Sequence, residues 1–206
     1  MFPLSTVLFP HAELPLHVFE ARYRALMADC LAGDGTFGVV LISRGSEVGG
    51  GEERVDVGTV ARIAHVAELD DGRMLVAASG GRRLQVDHWL PDGPYPRAVV
   101  VDLPGQWDAG DTGDAGAVAG AGAAVRRLRS LLSELGDVPA LAHDLDLAGD
   151  HEEIGWRLCA LAPLNLMDRQ LLLARVGLGA RMELLAALCA AMTDDVVALL
   201  AGGLGG

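Results

Sequence analysis

The residues best equipped for chemistry lie in one run: His143, Asp144, Asp146, Asp150, His151, Glu152 and Glu153, seven metal-ligand side chains within eleven residues. A metal site needs such groups to converge on one point. This run instead leads into a helical pattern, and acids at a helix start are favoured by the positive end of its dipole. The expected role is a solvated helix N-terminus, with no metal. His11 and Glu13 follow the Phe9-Pro10 corner, where turn chemistry accounts for them. Ser43, Ser46 and Ser79 stand near strand ends with no nucleophile elbow around them. The glycines Gly45, Gly49, Gly50 and Gly51 are mixed with Glu47, Glu52 and Glu53. An acidic loop leading into a strand is a connection, because a phosphate cradle opens onto a helix N-terminus with a basic partner. All sixteen basic residues are arginine. No lysine is therefore present to form a Schiff base, act as a general base or hold a nucleotide phosphate. The expectation is a chain with no catalytic site and no cofactor.

The elements that carry these residues read as two kinds of structure. Pro3, Pro10 and Pro15 make the first stretch extended and kinked. Leu14, Leu16 and Val18 alternate as a strand, and Phe19, Tyr23, Leu26 or Met27 and Cys30 then recur at helical spacing as far as Gly33. Strands are expected over Thr36–Ile42, Val55–Leu69, Met74–Ala78, Arg83–Trp89 and Ala98–Leu103, with a hairpin turn at Asp71-Gly72 and a break at Gly80. Residues 104–124 are almost entirely Gly, Ala and Asp and read as a flexible linker, with Trp107 as the exception. Helical faces follow. Val125, Leu128, Leu132 and Leu135 form one, Ile154, Leu158 and Leu161 a second, and Asn165 is placed to cap a third. Met182, Leu185, Cys189, Met192, Val196 and Leu199 make a narrow coiled-coil-like seam.

FPL, VLFP, LPLHVFE and ARYR, then FGVVLI, GSEVG, VGTVARI and GRRLQV, resemble the N-terminal substrate-binding domain of Lon proteases. The likeness resumes at ALAPLNLMDRQLLL and ARMELLAAL, and is strongest to short bacterial proteins consisting of that domain alone. The resemblance implies an α+β chain. A PUA-like β-barrel with one early helix would occupy residues 1–103, and an α-helical bundle residues 125–202. It also implies a non-enzymatic module that binds protein or peptide, without the family's ATPase and serine–lysine protease parts. Glu20, Arg22, Tyr23 and Arg83 match the family's characteristic polar positions. They serve either as a structural tie between the first helix and the barrel or as the lining of a substrate groove. Trp89 and Tyr95 flank the loop Pro91–Pro96 and either anchor a peptide or cover the barrel end. The junction of the two halves, or the barrel end near Trp89 and Tyr95, is the expected peptide surface.

Composition bounds the partners. At 51% hydrophobic, 206 residues can bury a full core, while only 4% are aromatic. The apolar runs read as too short and interrupted to span a bilayer, and the prolines and missing basic start argue against a signal peptide. Cys30, Cys159 and Cys189 are odd in number and far apart, which fits reduced thiols in the cytoplasm. PUA-like barrels elsewhere bind RNA, and Arg82, Arg83 and Arg97 could form a local patch, but a net charge of −12 opposes phosphate contacts. The expected partners are unfolded or damaged protein segments, with a separate protease as a possible associate. Nucleic acid and membrane are not expected.

Overall fold

Three prolines and a run of alternating apolar residues dictate how the chain starts. The computed structural model describes residues 1–44, 53–91, 93–103, 114–138 and 149–203. The loop glycines at 45–51, Trp107 and His143–Asp146 lie outside the described residues. Two compact units divide the chain, Met1–Gly105 and Gln106–Gly206.

In the first unit, β1 (Phe2–Leu4) pairs in parallel with β3 (Thr36–Arg44), and β3 continues antiparallel to β4 (Glu53–Glu68). β5 (Met74–Trp89) then pairs antiparallel with β4, with β2 (Glu13–Val18) along its first half and with β6 (Ala98–Asp102) along its second. Among the described residues this makes one six-stranded sheet in the order β1-β3-β4-β5-β2, with β6 beside β5. The sheet is a curled half-barrel, and among the described residues its end strands β1 and β2 do not pair with each other. Helix α1 (Ala21–Ala32) packs into its core through Tyr23, Leu26, Met27 and Cys30. Those side chains join Phe2, Leu14, Val18, Phe37, Val39 and Val76 in the larger apolar cluster. Each buried Leu or Val there is worth about 1.5–3 kcal/mol. A second cluster holds Val40, Leu84 and Val86, with Trp89, Ala98 and Val100 against it.

Two polar details hold the chain close to this sheet. Thr59 on β4 is fully buried, and its hydroxyl donates to the Leu8 carbonyl at 2.6 Å. Gly80 does not break β5, contrary to the sequence expectation. The strand runs on, with a register shift opposite Thr59 and Ala61. Glycine is needed for contact instead, since a Cβ at residue 80 would lie 2.1 Å from the Phe9 carbonyl oxygen.

The second unit is helical: α2 (Asp114–Glu134), α3 (His151–Leu161), α4 (Leu166–Ala174) and α5 (Leu178–Gly203). Over residues 114–124 the expected linker is instead the first half of α2. Alanine is the best helix former, and Val118, Ala121, Val125, Leu128 and Leu132 are all buried in one three-and-four-spaced seam. The small side chains had hidden that seam. On α5, Met182, Leu185 and Cys189 are buried and Met192 and Val196 half-buried, but Leu199 is 75% exposed, so the seam ends a turn earlier than expected. Leu135 falls beyond α2 and is exposed as well. The C-terminal carbonyls of α3 are satisfied by arginine. Arg129 donates to Leu161 O at 2.8 Å, and Arg169 to Ala160 O and Ala162 O at 3.3 and 3.4 Å. Arg181 is 1% exposed, bonded to Glu152 at 2.6 Å and stacked 3.6 Å from the Trp156 ring centre. Asn165 caps α4 as its position suggested, accepting from Asp168 N at 2.9 Å.

The expectation that every apolar run is too short and interrupted to span a bilayer does not hold for α5. The run Leu178–Ala201 is long and apolar enough to cross a membrane by length and composition alone. Its Met182–Leu185–Cys189 face is buried within the helical unit.

Candidate functional site

The passage from β2 into α1 builds a groove. Val18 points into the core, so its neighbour Phe19 must point out, and it is 54% exposed. Glu20 keeps extended backbone and stands as the N-cap of α1, but its side chain makes no capping bond. Its carboxylate instead accepts from Arg22 Nε at 3.0 Å, with both side chains 22% exposed. The Arg22 guanidinium lies 4.5 Å over the Tyr23 ring, and that ring stacks on Phe2 at 4.0 Å. Phe2, Leu4, Leu16, Phe19, Glu20 and Tyr23 are among the residues that line a groove of about 150 Å³. Its walls are mainly apolar, with the His17 imidazole beside Phe19 and a Glu20 carboxylate already held by Arg22. Such a groove can take an apolar side chain. It contains no nucleophile–base pair, and among the described residues no group of His, Cys, Asp and Glu could hold a metal.

Of the residues singled out in the sequence, Glu20 and Tyr23 therefore meet in one groove. Arg83 is buried in β5 opposite Thr59 of β4, at 3% exposure. Tyr95 packs on the larger cluster and its hydroxyl donates to Asp29 of α1 at 2.6 Å, a bond that raises the pKa of the phenol. Trp89 packs on the smaller cluster, with the Arg54 guanidinium 4.4 Å from its ring centre. The two aromatics are thus attached to different parts of the core. The described end of the acidic run is a helix start, where Asp150 accepts from Glu153 N at 2.9 Å.

Sequence reasoning placed Phe19 on the buried face of a helix and so missed it as a surface residue. A signal was present. An apolar residue just before an N-cap is usually pinned by an apolar residue at the fourth helical position, and here that position is Arg24. A second apolar surface lies in the helical unit, where Leu171, Ala174, Val176 and Leu184 bound a groove of about 490 Å³ beside Arg175. Leu171 and Val176 are exposed there, and Leu166 and Met167 are exposed at the start of α4.

Residues 1–190 match the family described as the ATP-dependent protease La (LON) substrate-binding domain. The chain belongs to that family. Among solved structures, the Lon N-terminal domain protein from Xanthomonas campestris is similar with a TM-score of 0.65 and 28% identity, over 90% of this chain and 95% of that one. The N terminal domain of Mycobacterium avium complex Lon protease shares the fold, with a TM-score of 0.60 and 18% identity over 91% of this chain and 96% of that one. Lon protease 2 of Myxococcus xanthus is 26% identical over 87% of this chain. The Lon protease of Flavobacterium johnsoniae is 31% identical over 48% of this chain. This Lon substrate-binding domain chain spans only 22% and 12% of the length of those two relatives.

Proposed function

We propose that this chain is a non-catalytic module that recognises unfolded polypeptide, built on a PUA-like barrel and a helical bundle. The observation that carries the reading is the β2–α1 groove, where a folded unit leaves Phe19 exposed beside Leu16, Glu20 and Tyr23. Unfolded chains differ from folded ones in offering apolar side chains, and an uncovered apolar groove is the surface that selects them. Membership of a substrate-binding domain family supports the same reading. Association with a separate protease is part of the proposal, as are Trp89 and Tyr95 as peripheral contacts for the bound chain. The buried free cysteines Cys30, Cys159 and Cys189 agree with a reducing, cytoplasmic setting. Met182, Leu185 and Cys189 pack α5 into the helical unit, while only 17% of its apolar stretch is buried.

The test is a titration of casein and of a structured RNA at low and high salt. Casein should bind with micromolar or weaker affinity, little changed by salt, and Phe19→Ser should weaken it on the order of tenfold. Tight, salt-released RNA binding without casein binding would replace this reading with the RNA one.

A further inference from the structure

Among the described residues the sheet has three end strands, and they are not equally protected. β1 contains Pro3 and β2 contains Pro15. Gly80 N–H donates to Ala12 O at 2.8 Å, so with strict alternation Leu14, Leu16 and Val18 face β5 and Pro15 faces away. An outward proline offers no donor, which is a common way of blocking an edge against pairing. β6, Ala98-Val99-Val100-Val101-Asp102, has no proline, glycine or lysine.

The polarity of that edge follows from two hydrogen bonds. Leu103 N–H donates to Arg83 O at 3.2 Å, and Arg97 O accepts Leu90 N–H at 2.9 Å. The register shift between these points lies on the β5 side, between Val86 and His88, so alternation along β6 is unbroken. Arg97, Val99, Val101 and Leu103 therefore turn their backbone groups to β5. Ala98, Val100 and Asp102 turn theirs outward, where the described residues supply no strand. Val99 and Val101 are exposed on one face, at 40% and 52%. The one acid of the strand, Asp102, is bonded to Arg82 at 2.6 Å, so the edge repels chains of neither sign.

We propose that the outer edge of β6 takes the backbone of a bound polypeptide as an added strand, with Val99 and Val101 favouring apolar segments. This rests on the polypeptide-binding reading above and states how the chain is held. Backbone pairing suits a binder of unfolded protein, because every extended segment carries the same N–H and C=O groups. A second copy of this chain is the less suitable occupant. Stable interfaces take roughly 20–30 residues a side, and β6 has five.

The experiment uses the full chain, with casein and an extended apolar decapeptide derived from it as probes. Amide exchange by NMR should show the N–H groups of Val99 and Val101 protected in the free protein, and those of Ala98, Val100 and Asp102 protected only with peptide. Val100→Pro should weaken casein binding on the order of tenfold, while Val100→Thr, with the donor kept, should leave it near the parent value. Should Val100→Pro fail to fold, Ala98→Pro and Val101→Lys, with the amide pattern, carry the same test. Casein binding unchanged in folded proline variants, with no protection at the even-numbered amides, would overturn this proposal and leave the polypeptide reading standing. Absence of casein binding by the parent protein would overturn both. Concentration-dependent dimerisation abolished by Val100→Pro would make the occupant a second copy and overturn it too.

Discussion

Thr59 shows how much one polar side chain can secure. Its hydroxyl is the partner of the buried Leu8 carbonyl at 2.6 Å, and it pins the segment between β1 and β2 against β4. Thr59→Val keeps the shape and strands that carbonyl, so it should cost about 1–3 kcal/mol, read as a lower denaturant midpoint. The thiols give a second test at this scale. Burial pushes Cys159 from 9.0 up to about 12 and Cys189 up to about 11. Both should resist alkylation at pH 8 until the protein unfolds, since the thiolate is the reactive form. A raised folded pKa stabilises fully below the unfolded value and is lost as pH rises. The melting temperature should therefore fall from about pH 9 upward, and replacing both cysteines with alanine should flatten that decline. Alkylation of the native protein at the rate of a free peptide thiol would contradict the burial.

At the scale of elements, α5 separates a packed end from an exposed one. Leu185 is fully buried, whereas Leu199 is 75% exposed. An unpaired carboxylate in the first position costs several kcal/mol against a total stability of roughly 5–15. Leu185→Asp should abolish the cooperative thermal transition, and Leu199→Asp should leave it within a degree or two. Equal melting of the two variants would show the seam to be wrongly drawn. Arg181 adds a contrast between charge and packing. Its guanidinium is bonded to Glu152 and stacked on Trp156. Arg181→Ala should destabilise by about 3–5 kcal/mol, and the double variant with Glu152→Gln by less, because the uncompensated carboxylate is then removed.

For the molecule as a whole, charge and the missing lysine decide which activities to expect. With a net charge of −12, binding carried by apolar surface should change little between low and high salt, whereas phosphate contacts would be released steeply. All sixteen basic residues being arginine, the purified chain should neither hydrolyse ATP nor cleave casein above buffer. Turnover lost on mutating a residue of this chain would refute that expectation.

Much of the architecture was legible in the sequence because it depends on local rules. Proline placement and period-two alternation marked β2, Asp71-Gly72 marked the β4–β5 turn, and Asn165 marked the start of α4. What stayed hidden was contact between residues distant in sequence. Gly80 looked like a strand break because only the approach of the Phe9 carbonyl shows why glycine is there. Residues 114–124 looked like a linker because alanine and glycine carry no apolar pattern by themselves, and burial of Ala121 and Val125 requires the partner helix α5. Glu20 and Tyr23 could be named from the sequence, yet their groove exists only because Phe2 stacks on Tyr23 from the far end of that segment. The fully buried Arg181 was likewise one of sixteen arginines until folding placed Glu152 and Trp156 around it. Residue types and spacing determined the elements and the absence of lysine chemistry. Tertiary structure alone decided which apolar groups were left uncovered, because exposure is what remains after every other side chain has found its neighbour.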